Sequence, residues 1–309
     1  MTVGKDLDKE LEMKRMGLIA AIAVALSGIT NAEASLEPTV AIIDVGFSTS
    51  SFSNSVVYEV CIVSSALCPN GARFQEGSGA AHVASNSLPA FAHGTNMLSI
   101  LTSVNPDVKV VLIRILGLNT NGKSGAYTID DVTTALAWVV KNYSRFNIKA
   151  VSISQGRVNG ACRAVPELVN SIKTLTAANV AVIASAGNER NRSNMAVPAC
   201  IDEVISVGAT DNPEVRNTGK GWDVLAAPII AQYSNGSTST DFYTNGRFFY
   251  TAMDGTRQFS VGTSNATAAF AGTWMKNLRP SISETYAHFS SISTKISNQW
   301  LSGKYVLIP

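Results

Sequence analysis

Charged residues are scarce in this chain, and the few that it has are not gathered. Asp, Glu, Lys and Arg make up 15% of the 309 residues, the formal net charge is +2, and no cluster of Lys and Arg is longer than a pair. A nucleic-acid-binding surface concentrates basic residues on one face, and a disordered protein needs a higher charge. With 46% hydrophobic residues, the chain has instead the composition to bury a sizeable core in one large domain. We therefore expect no nucleic acid among its partners.

Long apolar runs are also missing. The longest run covers residues 17–29, which is 13 residues, whereas a helix that spans a membrane needs about 20. A basic pair precedes this run, and the sequence Asn31-Ala32-Glu33-Ala34 follows it. A positive segment, an apolar core and an A-x-A end are typical of a secretory signal peptide. The sequence therefore predicts a signal peptide over residues 1–34.

The predicted cleavage after Ala34 has consequences for location. The first twelve residues are acidic for such a segment, so Met13 is an alternative translation start. The mature chain, residues 35–309, is expected to be secreted or periplasmic and not bound to a membrane.

Histidine and cysteine are few, with three histidines and four cysteines. A zinc site needs a C-x-x-C pair or nearby histidines, so we expect no metal centre of this kind. In an oxidising compartment, an even number of cysteines favours disulfides, although four cysteines allow three pairings. We predict a Cys162–Cys200 bridge, because the two loops adjoin one helix–strand unit, and a Cys61–Cys68 bridge in a loop-like region.

After the signal segment, short apolar runs alternate with helical patterns. The runs are continuous, β-branched and bounded by Gly, Asn or Asp, which predicts buried strands. They cover residues 39–43, 108–116, 148–154, 180–184 and 204–208, with helical spacing over 129–142 and 165–175. This alternation predicts a single-domain, doubly wound α/β fold with a mostly parallel sheet and helices on both faces. Residues 211–259 are rich in Gly, Ser, Thr, Asn and aromatics, which indicates loops and short hairpins.

One stretch fits a nucleotide-binding pattern. GLNTNGKS, residues 117–124, matches the P-loop sequence G-x-x-x-x-G-K-[ST]. In a P-loop the helix starts at the Gly-Lys, so that its N-terminal amides cradle a phosphate. Here Thr128 and Asp131 form a capping-box pattern that places the helix start later. Because an exported protein would also meet little ATP, a P-loop NTPase is kept only as a remote alternative.

Three other stretches carry residues that nucleophilic catalysis uses. VAIIDVG places Asp44 just past a strand, AHGTNMLSIL opens a helical pattern at His93, and QFSVGTSNATAAFAG places Ser264 after Gly-Thr. Alone, each has an ordinary explanation as a turn residue, a polar side chain or a helix cap. Together, Asp, His and Ser occur in the chain order of subtilisin.

The residues around these three positions make the match specific. They read Asp-x-Gly, His-Gly-Thr and Gly-Thr-Ser-x-Ala-Thr, and VAVIASAGNE adds an Ala-Gly-Asn that ends at Asn188. From about residue 39 to 275, the sequence resembles the subtilisin-like serine peptidases (subtilase family, peptidase family S8). The resemblance implies Asp44, His93 and Ser264 as catalytic residues and Asn188 in the oxyanion hole. It also implies a secreted, monomeric serine endopeptidase that acts on polypeptides. A catalytically inactive peptide-binding protein of the same fold is the alternative.

The resemblance further assigns the substrate cleft. One edge would be Ser154-Gln155-Gly156, and the other would be Ser124-Gly125 with Tyr127. Extended substrate would pair between these two edges through its backbone. Glu189 would lie near the first specificity pocket, where it would favour a basic residue.

The sequence departs from the family pattern at several positions. Val45, Asn96, Ala268 and Arg157 stand where Thr or Ser, a second His, Pro and Gly are usual. Only nine residues lie between the predicted cleavage site and Asp44, which leaves no room there for the long propeptide common in secreted members. No cofactor is expected. A structural calcium ion is compatible with the family but has no assignable site, since the segment after Asp44 has no acidic residue.

Overall fold

The computed structural model describes residues 37–84, 88–158, 160–211, 215–217, 222–224 and 228–308; for residues 215–217 and 222–224, only the backbone is considered. The predicted signal peptide, its cleavage site and the alternative start lie outside these residues. Strands are β1 (Thr39–Asp44), β2 (Val56–Ile62), β3 (Phe74–Glu76), β4 (Lys109–Arg114), β5 (Ile148–Ile153), β6 (Ala181–Ser185), β7 (Ile205–Asp211), β8 (Val215–Asn217), β9 (Trp222–Val224), β10 (Ile229–Ile230), β11 (Phe242–Asn245), β12 (Arg247–Thr251), β13 (Arg257–Val261), β14 (Thr294–Ser297) and β15 (Ser302–Tyr305). Helices are α1 (Ala92–Val104), α2 (Ile129–Asn142), α3 (Pro166–Ala177), α4 (Thr263–Lys276) and α5 (Ile282–Ile292), with a 3₁₀ turn at Pro89–Phe91.

The main sheet is mostly parallel, as predicted. Its parallel part follows the order β2-β4-β1-β5-β6-β7-β11-β15. Strands β3 and β14 add to its ends in antiparallel fashion, and β10 pairs antiparallel with β7. All six residues of β1 are buried, which explains why this strand is continuously apolar before Asp44 rather than alternating.

Helices cover both faces of this sheet. On one face, Ile43 of β1 shares a hydrophobic cluster with residues of α2 and α3. On the other, Val40 and Ile42 share a cluster with residues of α1 and α4. Because side chains alternate along a strand, one buried strand contributes to both layers. The predicted doubly wound α/β class is therefore confirmed.

Six strands of the main sheet were not predicted: β2, β3, β10, β11, β14 and β15. Strand β2 lies beside β4, and the four-residue β11 lies between β7 and β15. Residues 211–259 were expected to form loops and short hairpins, which describes β12 with β13 and β8 with β9 but not β11. A four-residue strand in a polar segment carries too little periodicity to be recognised, and its pairing depends on strands distant in sequence.

The stretch GLNTNGKS forms a small hairpin rather than a phosphate loop. Leu118 and Ser124 form an antiparallel bridge, and the turn has Gly122 at φ 76°, a conformation that favours glycine. Helix α2 begins only at Ile129, and the backbone N–H of Thr128 donates to Asp131 Oδ2 at 2.7 Å. The predicted capping box is present, and the free amides of α2 lie beyond the Gly-Lys. The fold gives the NTPase alternative no support.

Both disulfides have the predicted pairing. Cys61 is bonded to Cys68 across 7 residues, and Cys162 to Cys200 across 38. The described residues from Glu37 onward belong to one compact unit. Within the described part of the chain, every helix is too short or too polar to cross a membrane.

Candidate active site

The predicted site residues lie at the carboxyl edge of the parallel sheet. Asp44 ends β1, Ser154 follows the neighbouring β5, and Asn188 follows β6 next to it. His93 is the second residue of α1, and Ser264 is the second residue of α4. Ligand sites of open α/β sheets lie at this edge, because the loops that follow neighbouring strands meet there.

Asp44 and His93 are in direct contact. Val40 and Ile42 face α1, so alternation turns the Asp44 side chain toward the same helix. His93 Nδ1 lies 2.9 Å from Oδ1 and 3.0 Å from Oδ2 of Asp44, which is fully buried. The carboxylate thus holds the proton on Nδ1 and leaves Nε2 as the basic nitrogen.

The pair also changes the basicity of His93. Burial lowers the pKa of His93, but the charge of Asp44 and the hydrogen bond to it raise this pKa, and the net result is above the ordinary 6.5. The imidazolium that would form when His93 accepts a proton is therefore stabilised by Asp44.

Ser264 lies beside this pair through a different contact. Its hydroxyl donates to the Ser154 carbonyl oxygen at 3.3 Å, and the Ser154 hydroxyl donates to the Ser264 carbonyl oxygen at 3.2 Å. Among the hydrogen bonds of the described residues, none joins the Ser264 hydroxyl to His93. The serine is at the N-terminal end of α4, where backbone N–H groups and the helix dipole favour negative charge.

Asn188 is held in one orientation by the residue before the serine. Its Oδ1 accepts the backbone N–H of Thr263 at 2.9 Å and the Thr263 hydroxyl at 3.0 Å. Two donors at one end assign that end as the oxygen, so the Nδ2 donor faces the other way. A β-carbon placed on Gly262 would stand 3.8 Å from both Asn188 Nδ2 and the Ser264 backbone nitrogen. Asn188 Oδ1 is 3.9 Å from the same point, so the side-chain amide of Asn188 and the backbone N–H of Ser264 both lie beside Gly262.

The predicted cleft edge at Ser124, Gly125 and Tyr127 begins at Ser124, the last residue of the GLNTNGKS hairpin. The Gly125 N–H already donates to the Gly117 carbonyl oxygen at 2.9 Å. Tyr127 packs against the small cluster that contains Val45. In this conformation, the Gly125 N–H is not available to a substrate backbone.

The opposite predicted edge is Ser154-Gln155-Gly156. Val197 and Arg157 exchange backbone hydrogen bonds of 2.9 and 3.0 Å, and a β-carbon on Gly156 would come within 2.5 Å of the Val197 carbonyl oxygen. Only glycine fits so close a backbone approach. The Gln155 side chain turns inward, and its Nε2 lies 2.9 Å from Asp44 Oδ1 and 2.9 Å from His93 Nδ1.

Sequence reasoning missed the side-chain contacts of Gln155 and Thr263. Gln155 was considered only for its backbone, as the middle of a Ser-x-Gly segment. Thr263 was considered only as part of the Gly-Thr-Ser motif. Its hydroxyl group was the feature of the sequence that could have indicated a hydrogen bond to Asn188. Both contacts join residues far apart in the chain, which a local motif does not reveal.

The structure shows the hydrogen-bond environment of Glu189 and of Val45 and Asn96, two positions that depart from the family pattern. The Glu189 carboxylate accepts the Asn188 N–H at 2.9 Å and the Asn235 side-chain amide at 2.5 Å. The Val45 N–H donates to Asp44 at 2.7 Å. Asn96 Oδ1 is buried, and no described residue donates a hydrogen bond to it.

Comparison with known proteins identifies the family. Residues 36–287 match the sequence model of the subtilase family. The chain belongs to the subtilase family. As a subtilase, it is 26% identical over 148 residues to alkaline elastase YaB of Bacillus sp. (strain YaB), a match that covers 45% of this chain and 37% of that protein. It is 25% identical over 220 residues to a cuticle-degrading serine protease of Arthrobotrys oligospora, covering 69% of this chain and 47% of that protein. Each match thus spans less than half of the relative.

Solved structures of low identity share the subtilase fold. The S41 psychrophilic protease superposes with a TM-score of 0.65 at 18% identity, covering 87% of this chain and 86% of that one. The nisin leader peptidase NisP from Lactococcus lactis gives 0.64 at 17% identity, covering 89% and 86%.

Proposed function

We propose that this subtilase is a serine endopeptidase that hydrolyses peptide bonds with Asp44, His93 and Ser264. The observation that carries the proposal is the contact between the buried Asp44 carboxylate and His93 Nδ1 at the sheet edge, 2.9 Å long. It leaves His93 Nε2 as the basic nitrogen of the site. Membership of the subtilase family supports the same activity.

In the proposed reaction, Ser264 is the nucleophile. Its hydroxyl turns from the Ser154 carbonyl toward His93 Nε2, which takes the proton as the oxygen attacks the substrate carbonyl carbon. His93 then gives that proton to the leaving amine, and an acyl group remains on Ser264. A water molecule, deprotonated by His93, attacks the acyl carbon; the bond to Ser264 Oγ then breaks, His93 returns the proton to that oxygen, and the acid product leaves.

The negative charge of the tetrahedral intermediate is assigned to the space beside Gly262. In this proposal, the Nδ2 donor of Asn188 and the backbone N–H of Ser264 would both donate to the carbonyl oxygen; their shared position beside Gly262 supports it. Such donors act mainly on the transition state, so losing the Asn188 amide is expected to lower kcat by about 10²–10³ with little change in KM.

Polypeptide substrate is proposed to lie between the two predicted edges. The Gly125 N–H is occupied by the Gly117 carbonyl oxygen. Pairing at Ser124-Gly125 and Tyr127 would therefore use other backbone groups or an opening of the Gly117–Gly125 contact. Glu189 is still predicted to favour a basic substrate residue. Its carboxylate already accepts hydrogen bonds from Asn188 and Asn235, and a basic residue would compete with these donors.

The decisive experiment labels the purified protein with a fluorophosphonate probe and maps the modified serine. Wild type is expected to be labelled at Ser264, and Ser264→Ala to lose both labelling and peptide hydrolysis while keeping its melting temperature. Ser283→Ala, at an exposed serine in α5, is the matched control and should behave as wild type. Labelling of another serine would overturn the assignment of the nucleophile. Peptide binding without labelling would instead indicate the inactive peptide-binding alternative.

We also propose that the chain is exported and acts as a monomer after removal of residues 1–34. The apolar core and A-x-A end of that segment support the proposal. Expression in a bacterial host followed by N-terminal sequencing of the exported protein should give Ser35 as the first residue. Retention of the full chain inside the cells would contradict it. Sedimentation velocity should give the mass of one mature chain.

A further inference from the structure

The structure places a third polar group on the Asp44–His93 pair. Gln155 Nε2, Asp44 Oδ1 and His93 Nδ1 are each 2.9 Å from the other two. Gln155 itself is buried, with 8% of its surface exposed. We propose that the Gln155 side chain is a positioning residue that orients Asp44 and tunes the proton affinity of His93. This inference adds to the proposed peptidase mechanism and rests on it.

The hydrogen-bonding capacity of the three groups assigns their roles. Asp44 Oδ1 also accepts the Val45 N–H at 2.7 Å. A second hydrogen bond, donated by Gln155, satisfies the remaining acceptor capacity of this oxygen. If the Gln155 amide oxygen occupied this position, two hydrogen-bond acceptors, Oε1 and Asp44 Oδ1, would be in unfavourable contact. The contact is therefore assigned to Nε2. His93 Nδ1 lies 2.9 Å from Oδ1 and 3.0 Å from Oδ2, so both carboxylate oxygens face the histidine. The Gln155 and Val45 donors on Oδ1 therefore hold the carboxylate in this rotation.

The residue after Asp44 explains why a side chain from another strand is used. Val45 donates its backbone N–H to the carboxylate, but its side chain has no hydroxyl and cannot donate a second hydrogen bond. Gln155 reaches Asp44 from the end of β5, the strand beside β1. A buried carboxylate needs several donors to remain ionised, because burial disfavours the charged form.

Gln155 also has a predictable effect on His93. Its N–H groups offset part of the Asp44 charge, and their positive ends lie next to Nδ1. Both effects disfavour the imidazolium, so removing the amide should raise the pKa of His93.

The other charged or titratable groups around the pair do not change charge near neutrality. Arg114 is the register partner of Asp44 on β4, and burial lowers its pKa to about 10. Burial and the charge of Asp44 raise the pKa of Tyr127 above its ordinary 10.0. The described residues that face the pair from α4 and β5, Ser264 and Ser154, are uncharged. A titration between pH 5 and pH 9 therefore reports on His93.

The test measures His93 directly by ¹⁵N NMR of the full chain labelled at its three histidines, with His93→Gln for assignment. Gln155→Met has a similar length and no donor, and Gln155→Leu is a second apolar variant in case Met alters the fold. In both, the pKa of His93 is expected to rise by about half a unit or more above that of wild type. Gln258→Met, at an exposed glutamine on β13, is the control and should leave this pKa unchanged.

A second readout separates positioning from substrate binding. A small fluorophosphonate has no upstream peptide residues, so its reaction with Ser264 does not depend on the cleft edges. Its rate is expected to fall about threefold to tenfold in Gln155→Met, with the acid limb of the pH profile displaced to higher pH. An unchanged pKa of His93 in the folded variants would overturn the inference, even if the rate falls. Failure of the wild type to react would count against the proposed function, whereas the NMR titration would still decide the role of Gln155.

Discussion

At the scale of single residues, the site depends on a few polar side chains that are held by specific hydrogen bonds. Asp44 accepts from Val45, His93 and Gln155, and Asn188 Oδ1 accepts twice from Thr263. Each of these contacts fixes an orientation that the chemistry requires. Loss of one donor is therefore expected to change the function more than the stability.

The raised pKa of His93 predicts the pH dependence of activity. In the proposed mechanism, only neutral His93 can take the Ser264 proton, so activity is expected to be lost as the pH falls through this pKa, which lies above 6.5. The acid limb of kcat/KM should accordingly have its midpoint above 6.5. A pH profile with a neutral peptide substrate measures it, and a midpoint well below 6.5 would contradict the Asp44–His93 coupling.

The same pKa has a consequence for folding. The folded protein binds the His93 proton more tightly than the unfolded chain does, so its contribution to stability is fully present below pH 6.5. That contribution is lost as the pH rises through the folded pKa. Urea unfolding with His93→Gln as the reference isolates this contribution.

Thr263→Val tests the orientation of Asn188. The substitution removes the hydroxyl that donates to Asn188 Oδ1 and accepts the Gly187 N–H at 3.2 Å, and it keeps the backbone donor to Oδ1. The side-chain amide of Asn188 is then less firmly held. Losing a net hydrogen bond of about 1 kcal/mol predicts a fall in kcat of about fivefold, with KM little changed. Thr273→Val is the matched control in the same helix, since among the described residues its hydroxyl bonds only to the Ala269 carbonyl oxygen. Equal effects of the two substitutions would show that Thr263 has no special role.

At the scale of elements, the two disulfides close loops of very different length. The Cys162–Cys200 bridge spans 38 residues and includes α3 and β6, whereas Cys61–Cys68 spans 7 and begins at Cys61 within β2. A bridge that closes a longer loop restricts the unfolded chain more, so the longer one should stabilise the fold more.

Replacing each pair with alanine measures this difference. The chain-entropy relation gives a loss of about 4 kcal/mol for Cys162→Ala with Cys200→Ala, and about 2.5 kcal/mol for Cys61→Ala with Cys68→Ala. The free energy of unfolding in urea is the measurement, and the second pair is the control for the first. A larger loss from the shorter loop would show that native packing, rather than loop length, sets these values.

At the scale of the whole molecule, the site depends on how two helices meet. Helix α1 carries His93 and α4 carries Ser264, and both pack on the same face of the sheet. Gly272 lies at their closest approach, where a β-carbon would come within 2.7 Å of the Leu101 carbonyl oxygen. The Asn105 side chain donates to the Gly272 carbonyl oxygen at 3.3 Å beside this contact.

Gly272→Ala is expected to separate the two helices. The added methyl group meets backbone rather than a movable side chain, so stability should fall by about 1–3 kcal/mol. Because the displaced helices carry His93 and Ser264, kcat should fall by about tenfold or more. Ala271→Gly is the control, since it lowers helix propensity by about 1 kcal/mol and removes a buried methyl group without adding volume; it should keep kcat near wild type. Stability and peptide hydrolysis are measured on the same samples, and a normal kcat in Gly272→Ala would contradict the prediction.

The sequence by itself determined the features that depend on neighbouring residues. Continuous β-branched runs predicted the strands that end at Asp44 and near Ser154, and the Thr128–Asp131 spacing predicted the start of α2. The cysteine pairing also followed from the order of elements. These features could be predicted because side-chain periodicity and helix capping act over a few residues.

Tertiary structure alone decided the contacts between distant segments. Gln155 reaches Asp44 across 111 positions of sequence, and Thr263 reaches Asn188 across 75. The Gly125 N–H is occupied by Gly117 because the chain between them turns back as a hairpin. A motif specifies which residue types are present, but hydrogen-bond partners depend on which loops the parallel sheet brings to one edge. That placement follows from strand order, and strand order is set by the packing of the whole chain.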